Sequence, residues 1–582
     1  MTDSTRVRRP GSVGLLILAV ILALGGGWLA SWTRTDAGRV DVDTVRFVAA
    51  DGRTMTAELY VPATATPTAP APGVLAVHGY INDRETQSPY AIELARRGYV
   101  VVALDQSGHG NSDPPAFAAG YGGPDGLAYL RSLPMVDPER IVLSGHSMGG
   151  WAVLIAAGVA PEDYASIVVS GSSPGTLGAP EGTPQFPRNF GLVFSLYDEF
   201  SELMWGAPTG AGVVRTEKLA GVFGTEPPVV PGRLYGDIDE GTARWLAQPP
   251  VTHPGDHITV AGVAPVIEWI QRSVPAPNPL PATDQEWMLK ELGTGLGLLG
   301  MVLAFFAAGG LWLRTPAFAP LQRVPANGVG PSSAGWWLSA LILIVVPVAT
   351  YFWLNNQAAV WLPVNTWFPQ QITNGIMVWA VANGALGLVL FLLWYALSGR
   401  RGGGAGVGLG GGVLRSIGLA LATVGTGYLL LIVVNGLFGT DFRAWVVAAR
   451  PLDALHARIA VVYLLPFVFF FATLGLTLHG QLRARQTTST AAAVVGNGVL
   501  MLAGFAALLL IQYVPLLSGR PLPLGEPLLT IVGFQFLVLL PIAGMLSTYL
   551  FEKTGSVWPG AFANGLFVTW YIVASQATHV AL

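Results

Sequence analysis

Apolar positions fall along this chain in two regimes. At 12–31, and from about 290 to the end, they run in blocks close to 20 residues long, the length that spans a bilayer's hydrocarbon core. Nine stretches qualify: about 12–31, 292–313, 335–354, 375–397, 416–438, 459–478, 492–514, 528–551 and 557–577. None has Lys, Arg, Asp or Glu near its middle. Between 36 and 285 the apolar runs are short, bounded by Gly and Pro, and interleaved with charges, as in a water-soluble domain.

Within 36–285 the runs follow an order. The segment 42-VDTVRFVAADGRTMTAELYVP-62 reads as a hairpin turning at Asp51-Gly52. Next come a strand at 73-GVLAVHGY-80, a helix at about 88–97 and a strand at 99-YVVVALD-105. A helix at 122–132, a strand at 140-RIVLSG-145, a second helix and a strand at 165-ASIVVSG-171 follow. Strands alternating with helices predict an α/β domain, a mostly parallel sheet covered on both faces. The long blocks predict an all-α transmembrane bundle. The expected organisation is an anchor at 1–35, a soluble domain at 36–285 and a membrane domain of about eight helices at 286–582.

Composition sharpens this division. Of 582 residues, 52% are hydrophobic and only 11% charged, too few charges for an ordinary soluble protein. A net charge of −3 gives no footprint for nucleic acid. The absence of cysteine excludes disulfides, thiolate metal sites and a cysteine nucleophile. If the N-terminus is cytoplasmic, inside loops carry eleven basic residues (Arg6, Arg8, Arg9, Arg314, Arg323, Arg400, Arg401, Arg415, Arg483, Arg485, Lys553), against four outside (Arg443, Arg450, Arg458, Arg520). That bias places the soluble domain on the extracytoplasmic side of a cell membrane. The uncharged loop 355–374 suits the outside as well. Segment 12–31 reads as an anchor rather than a cleaved signal, since its apolar run is long and no small-residue cleavage site follows. The excess of Arg over Lys, with many Ala and Gly, points to a bacterial source.

The candidate chemistry sits at 141-IVLSGHSMGG-150, where a strand turns into a helix around Gly145-His146-Ser147-Met148-Gly149. A serine hydroxyl is a poor nucleophile unless it is exposed beside a base. A sharp strand-to-helix turn exposes it, and the helix N-terminus behind it favours developing negative charge. Three motifs occur in order: His78-Gly79 after one strand, Gly108-His109-Gly110-Asn111-Ser112 after the next, and Gly145-x-Ser147-x-Gly149. Together they resemble the α/β-hydrolase family over about residues 40–273.

The resemblance implies a Ser-His-Asp triad; no cofactor is expected, and no metal either, since Pro254 and Gly255 break the helix that would set His253 and His257 on one face. Ser147 would be the nucleophile, with the backbone N–H groups of Met148 and Tyr80 as the oxyanion hole. His78, His109 and His146 would shape loops. The family places its base last, which leaves His253 and His257 in 250-PVTHPGDHITVAGVAPVIEWIQ-271; His257, nearer the following helix, is preferred. The acid would be Asp198, after the strand in 188-RNFGLVFSLYDEF-200, with neighbouring Glu199 as one alternative and Asp239, in an expected hairpin turn, as another. The segment 171–188 is short for a lid, and 200–232 is the alternative cover.

The membrane half lacks intramembrane charge, the usual mark of an ion pathway. Asn383, Asn435, Asn497, Gln512, Gln535 and Asn564 are expected to bond neighbouring helices. The stretch 440–458, with Asp441 and Arg443, is amphipathic enough to lie in the outer interface. The expected function is hydrolysis of an acyl bond, an ester before a peptide, in a small-molecule or lipid substrate at the bilayer. Two alternatives stay open: a transporter or acyl-transfer protein with an accessory hydrolase domain, and a non-catalytic binding module. The oligomeric state is not legible.

Overall fold

The computed structural model describes residues 11–328, 330–397, 407–409 and 412–582. Arg6, Arg8 and Arg9 and most of the glycine-rich stretch 399–412 lie outside the described residues.

Nine strands form one sheet: β1 (Val40–Val48), β2 (Thr54–Pro62), β3 (Ala71–Val77), β4 (Val100–Leu104), β5 (Val136–His146), β6 (Ser166–Ser170), β7 (Phe190–Val193), β8 (Leu234–Tyr235) and β9 (Arg244–Ala247). Their order is β1-β2-β4-β3-β5-β6-β7-β9-β8. The six strands from β4 to β9 in that order pair in parallel, and β1, β2 and β8 are antiparallel additions at the two edges. Both expected hairpins form, with Gly52 at φ +88° in the first turn.

Alternation across the sheet explains the unbroken apolar runs. Leu75, Val77, Ile141, Leu143, Ile167 and Val169 face one core. Val74, Ala76, Val142 and Val168 face the other. Each central strand therefore buries both sides, and no polar alternation survives in its sequence. Helices Ser88–Arg96 and Val260–Ser273 cover one face, and Gly123–Ser132 and Met148–Val159 the other.

The second half is helical. Among the described residues, seven helices are long and apolar enough to cross a membrane, or eight if one bent pair is a single span. That pair, Ala334–Ala349 and Tyr351–Trp361, bends by 51°, so part of the stretch expected as the uncharged loop 355–374 is helix. The last expected span is the 18-residue helix Trp558–Ser575, which is not among the seven and is almost wholly enclosed by the others. The flanking helices Gly11–Arg34 and Met288–Trp312 bracket the sheet domain. They approach closely: a Cβ on Gly26 would lie 2.3 Å from the Gly293 carbonyl oxygen, and one on Gly300 would lie 2.6 Å from that of Ala19. Small residues permit this helix contact.

Five of the six isolated amides bond another helix, Asn564 through Ala543 O, whereas Asn435 bonds Thr440 O just beyond the end of its own helix. Asn383 bonds Thr350, Asn497 bonds Thr548, Gln512 bonds Thr530 and Gln535 bonds Tyr571. The stretch 440–458 does not lie as a surface amphipath. Phe442–Ala444 and Val447–Ala449 form a hairpin, and Asp441, Arg443 and Arg450 are buried. Their charges are matched across the two halves, which removes the need for solvent. Arg443 lies 3.0 Å from Asp83 and close to Asp441, and Arg450 lies 2.8 Å from Asp83.

Candidate functional site

β5 ends at His146, and the next residue takes a backbone that L-residues seldom adopt. Ser147 has φ 55° and ψ −123°, a conformation that costs of order 1–3 kcal/mol and persists only where the surroundings enforce it. Here the enforcement is close packing. A Cβ on Gly145 would lie 2.2 Å from the Gly149 carbonyl oxygen, and one on Gly149 would lie 2.0 Å from that of Val77. Ser147 N–H donates to Ser170 O at 2.8 Å, which ties the turn to β6. The helix Met148–Val159 begins at the next residue.

The loop after β3 lies against this turn. A Cβ on Gly79 would lie 3.0 Å from Ser147 Cβ. His78 holds the loop: its Nδ1 is 2.7 Å from Gly79 O, and its Nε2 accepts the Gln106 N–H at 3.1 Å. Gly79, Tyr80, Ser147, Met148 and His253 line one cavity of about 380 Å³. A smaller cavity of about 90 Å³ lies inside the helical half, lined by residues such as Asn383 and Thr477.

Asp198 comes to the site five residues after β7. It is 1% exposed, and both its oxygens are engaged. Oδ1 accepts the Phe200 N–H at 2.7 Å, and Oδ2 is 2.8 Å from His253 Nδ1. The preference for His257 over His253 is therefore corrected. Its failure has a local cause in backbone pairing. The segment after β7 zips in parallel onto the segment after β9: Leu196 N–H donates to Pro249 O, Tyr197 N–H to Val251 O, and Tyr197 bridges Thr252. The next residue on each side is Asp198 and His253. His257 lies a helical turn further on, stacked on His146 with ring centroids 4.4 Å apart and its Nδ1 3.3 Å from Thr86 O. Asp239 is exposed in the β8–β9 turn, where its N–H donates to Asp237, and it takes no part in this cluster.

The electrostatics separate the two histidines. Burial acts against a charged ring at His253, but the charge and hydrogen bond of Asp198 outweigh it and raise the pKa to about 9. At His257 burial prevails over the weak Thr86 contact and lowers the pKa to about 4. Asp256 is fully buried and accepts the Ser195 hydroxyl, and burial together with the Asp198 charge pushes its pKa well above the usual carboxylate range. His146, His253 and Asp256 bring donor atoms within 4.8 Å of one another. His253 already spends Nδ1 on Asp198, and one Asp256 oxygen already accepts the Ser195 hydroxyl, so these donors are engaged within the protein.

Two supports were not legible in the sequence. Glu199 accepts the His253 backbone N–H at 2.7 Å through one oxygen and the Tyr513 hydroxyl at 2.7 Å through the other. Tyr513 belongs to the apolar helix Thr490–Leu516, so the helical half reaches His253 through Glu199. Burial, and then the neighbouring Asp198 charge, raise the Glu199 pKa to about 7. The helical half also grips the loop beyond Tyr80. Asp83 is held by Arg443 and Arg450, and Glu85 lies 3.0 Å from Lys290 and 3.6 Å from Arg34. Only the position of Glu199 beside the acid gave any hint in the sequence.

Comparison with known proteins bears on the sheet domain. A family described as alpha/beta hydrolase fold matches residues 72–200. Among solved structures, brefeldin A esterase, a bacterial homologue of human hormone sensitive lipase, is 14% identical over 46% of this chain and 85% of its own, with a TM-score of 0.30. A hypothetical protein from Pseudomonas aeruginosa is 29% identical over 23% of this chain and 43% of its own, with a TM-score of 0.21. Epoxide hydrolase A from Mycobacterium thermoresistibile is 20% identical over 24% and 42%, with a TM-score of 0.20. The chain spans less than half the length of the first solved structures it matches. No curated protein matches it.

Proposed function

We propose, from the premise that the sheet domain has the α/β-hydrolase fold, that this protein is a membrane-bound serine hydrolase that cleaves an acyl ester on the extracytoplasmic side. The observation that carries the reading is the 2.8 Å contact between Asp198 and His253 in the cavity that Ser147 lines. Ser147 Oγ attacks the ester carbonyl carbon while its proton passes to His253 Nε2. The carbonyl electrons move to oxygen, and the oxyanion accepts the N–H groups of Met148 and Tyr80. Collapse breaks the carbon–oxygen bond, and the leaving alcohol takes the proton from His253. A water molecule then gives its proton to His253 and adds to the acyl-serine. A second collapse returns that proton to Ser147 and frees the acid. Throughout, Asp198 accepts the Nδ1–H of His253, which fixes the tautomer and stabilises the imidazolium.

The test is fluorophosphonate labelling of the full-length protein. Wild type and His257→Ala label, whereas Ser147→Ala and His253→Ala do not. A wild type that stays unlabelled, or labelling that survives Ser147→Ala, overturns the reading.

A further inference from the structure

The cavity at Ser147 has walls from both halves of the chain. The sheet domain contributes Phe117, Leu177, Phe200 and Leu203, and the helical half contributes Trp445, Val446, Leu528 and Ile531. Its size of about 380 Å³ lies in the range of specific ligand sites. Three of the sheet-domain residues, Phe117, Leu177 and Leu203, remain 44%, 59% and 50% exposed, although they line it. An exposed apolar rim on a catalytic cavity marks a site for apolar surface. Leu528 and Ile531, which line the same cavity, belong to the short helix Pro527–Gly533 at the start of the span Pro527–Thr554. One wall of the cavity is thus built from a segment apolar enough for a bilayer.

Trp445 is built into the wall at a cost. It occupies the tip of the hairpin between Phe442–Ala444 and Val447–Ala449 with φ 53°, an outlier for a bulky residue. Its indole N–H is buried without a hydrogen-bond partner. The hairpin below it is fixed from several sides: the Tyr571 hydroxyl donates to Val446 O, the Ser575 hydroxyl to Ala448 O, and the Trp570 indole N–H to Arg450 O. A strained, unsatisfied aromatic on a rigid support is a device that sets the shape of a site.

We propose that the substrate is an amphiphilic ester resident in the bilayer leaflet facing the sheet domain, and that Trp445 is the wall limiting the aliphatic acyl chain that enters over Leu203 and Leu528. This rests on the serine-hydrolase reading above and adds the substrate class and a specificity-determining residue.

The experiment uses full-length protein in phosphatidylcholine nanodiscs and p-nitrophenyl esters from acetate to hexadecanoate. Fluorophosphonate labelling is run in parallel. kcat/KM rises about fourfold per added methylene while the chain is being buried, then levels off where the cavity is full. Trp445→Ala moves that plateau to longer chains, whereas Trp445→Phe keeps it in place. Leu528→Trp narrows the entry and lowers the decanoate-to-acetate ratio of kcat/KM at least tenfold. A labelled wild type that prefers acetate, or shows no dependence on chain length, overturns the proposal and leaves the hydrolase reading intact. A plateau unmoved in a folded Trp445→Ala overturns the role of Trp445. If Trp445→Ala does not fold, the wild-type series and Leu528→Trp still decide the substrate class. Absent labelling, by contrast, removes the hydrolase reading itself.

Discussion

Replacing Asp198 with asparagine keeps the shape of the acid and removes its charge. In the wild type, Asp198 outweighs burial and raises the His253 pKa to about 9. The base must be neutral to accept the serine proton, so kcat/KM rises with pH through that value. At pH 7 only about 1% of a group with a pKa of 9 is neutral, and at pH 9.5 about three quarters is. Without the carboxylate the buried ring falls to the ordinary 6.5 or below, and it is already mostly neutral at pH 7. Losing a triad aspartate costs on the order of 10⁴ in turnover once the base is neutral in both enzymes. The deficit is therefore about 10⁴ at pH 9.5 and roughly fiftyfold smaller, near 200, at pH 7. The assay is steady-state hydrolysis of one p-nitrophenyl ester between pH 6 and 9.5, with the Ser147→Ala rate subtracted at every pH. A wild-type to variant ratio that does not change with pH, or a wild-type limb at or below pH 7, refutes the assignment of His253 as the base held by Asp198.

Other perturbations test other parts of the arrangement. Gly149→Ala drives a Cβ to 2.0 Å from a backbone carbonyl and abolishes fluorophosphonate labelling; labelling at the wild-type rate would show that the turn relaxes freely. Tyr513→Phe removes a hydrogen bond to the Glu199 carboxylate, an interaction worth about 1.5–3 kcal/mol. Glu199 is then neutral over a wider pH range and His253 loses part of its raised pKa, so kcat/KM drops about tenfold and the pH limb moves below 9; an unmoved limb refutes the link. Arg443→Met leaves Asp441 buried without its cation and destabilises the protein by about 3–5 kcal/mol, seen in chemical denaturation and partly recovered by Asp441→Asn in the same chain. Because the chain has no cysteine, Val159→Cys at a position 67% exposed reports sidedness, and an impermeant maleimide labels it in intact cells if the sheet domain is extracytoplasmic.

The sheet and the strand-to-helix turn at Ser147 were readable because their determinants are local. Central strands such as β5 carry apolar residues on both faces, and Gly145 and Gly149 leave no room for a side chain. Asp198 was legible through its place after a strand. The choice between His253 and His257 depended on the parallel alignment of residues 196–198 with 249–253, a long-range register that no periodicity encodes. The union of the two halves was equally hidden. Arg443 and Asp83 lie 360 residues apart in sequence, and the short hairpin that carries Trp445 has a composition that also suits an interfacial helix. Tyr513 reads simply as an aromatic near the end of an apolar span.

The close pairing of Gly11–Arg34 with Met288–Trp312 fixes how the sheet domain is carried on the helices. The sheet domain leaves the bundle from one helix and returns to the helix touching it, so it is an insertion with two adjoining footholds. A domain on a single flexible stalk sweeps out a hemisphere and samples everything within reach. Two footholds this close, together with the ion pairs beyond Tyr80, abolish that search. The Ser147 cavity keeps one height and one heading, and for the bilayer-resident ester proposed above encounter becomes two-dimensional: turnover then follows how many molecules drift past in the plane rather than the volume of the surrounding solution.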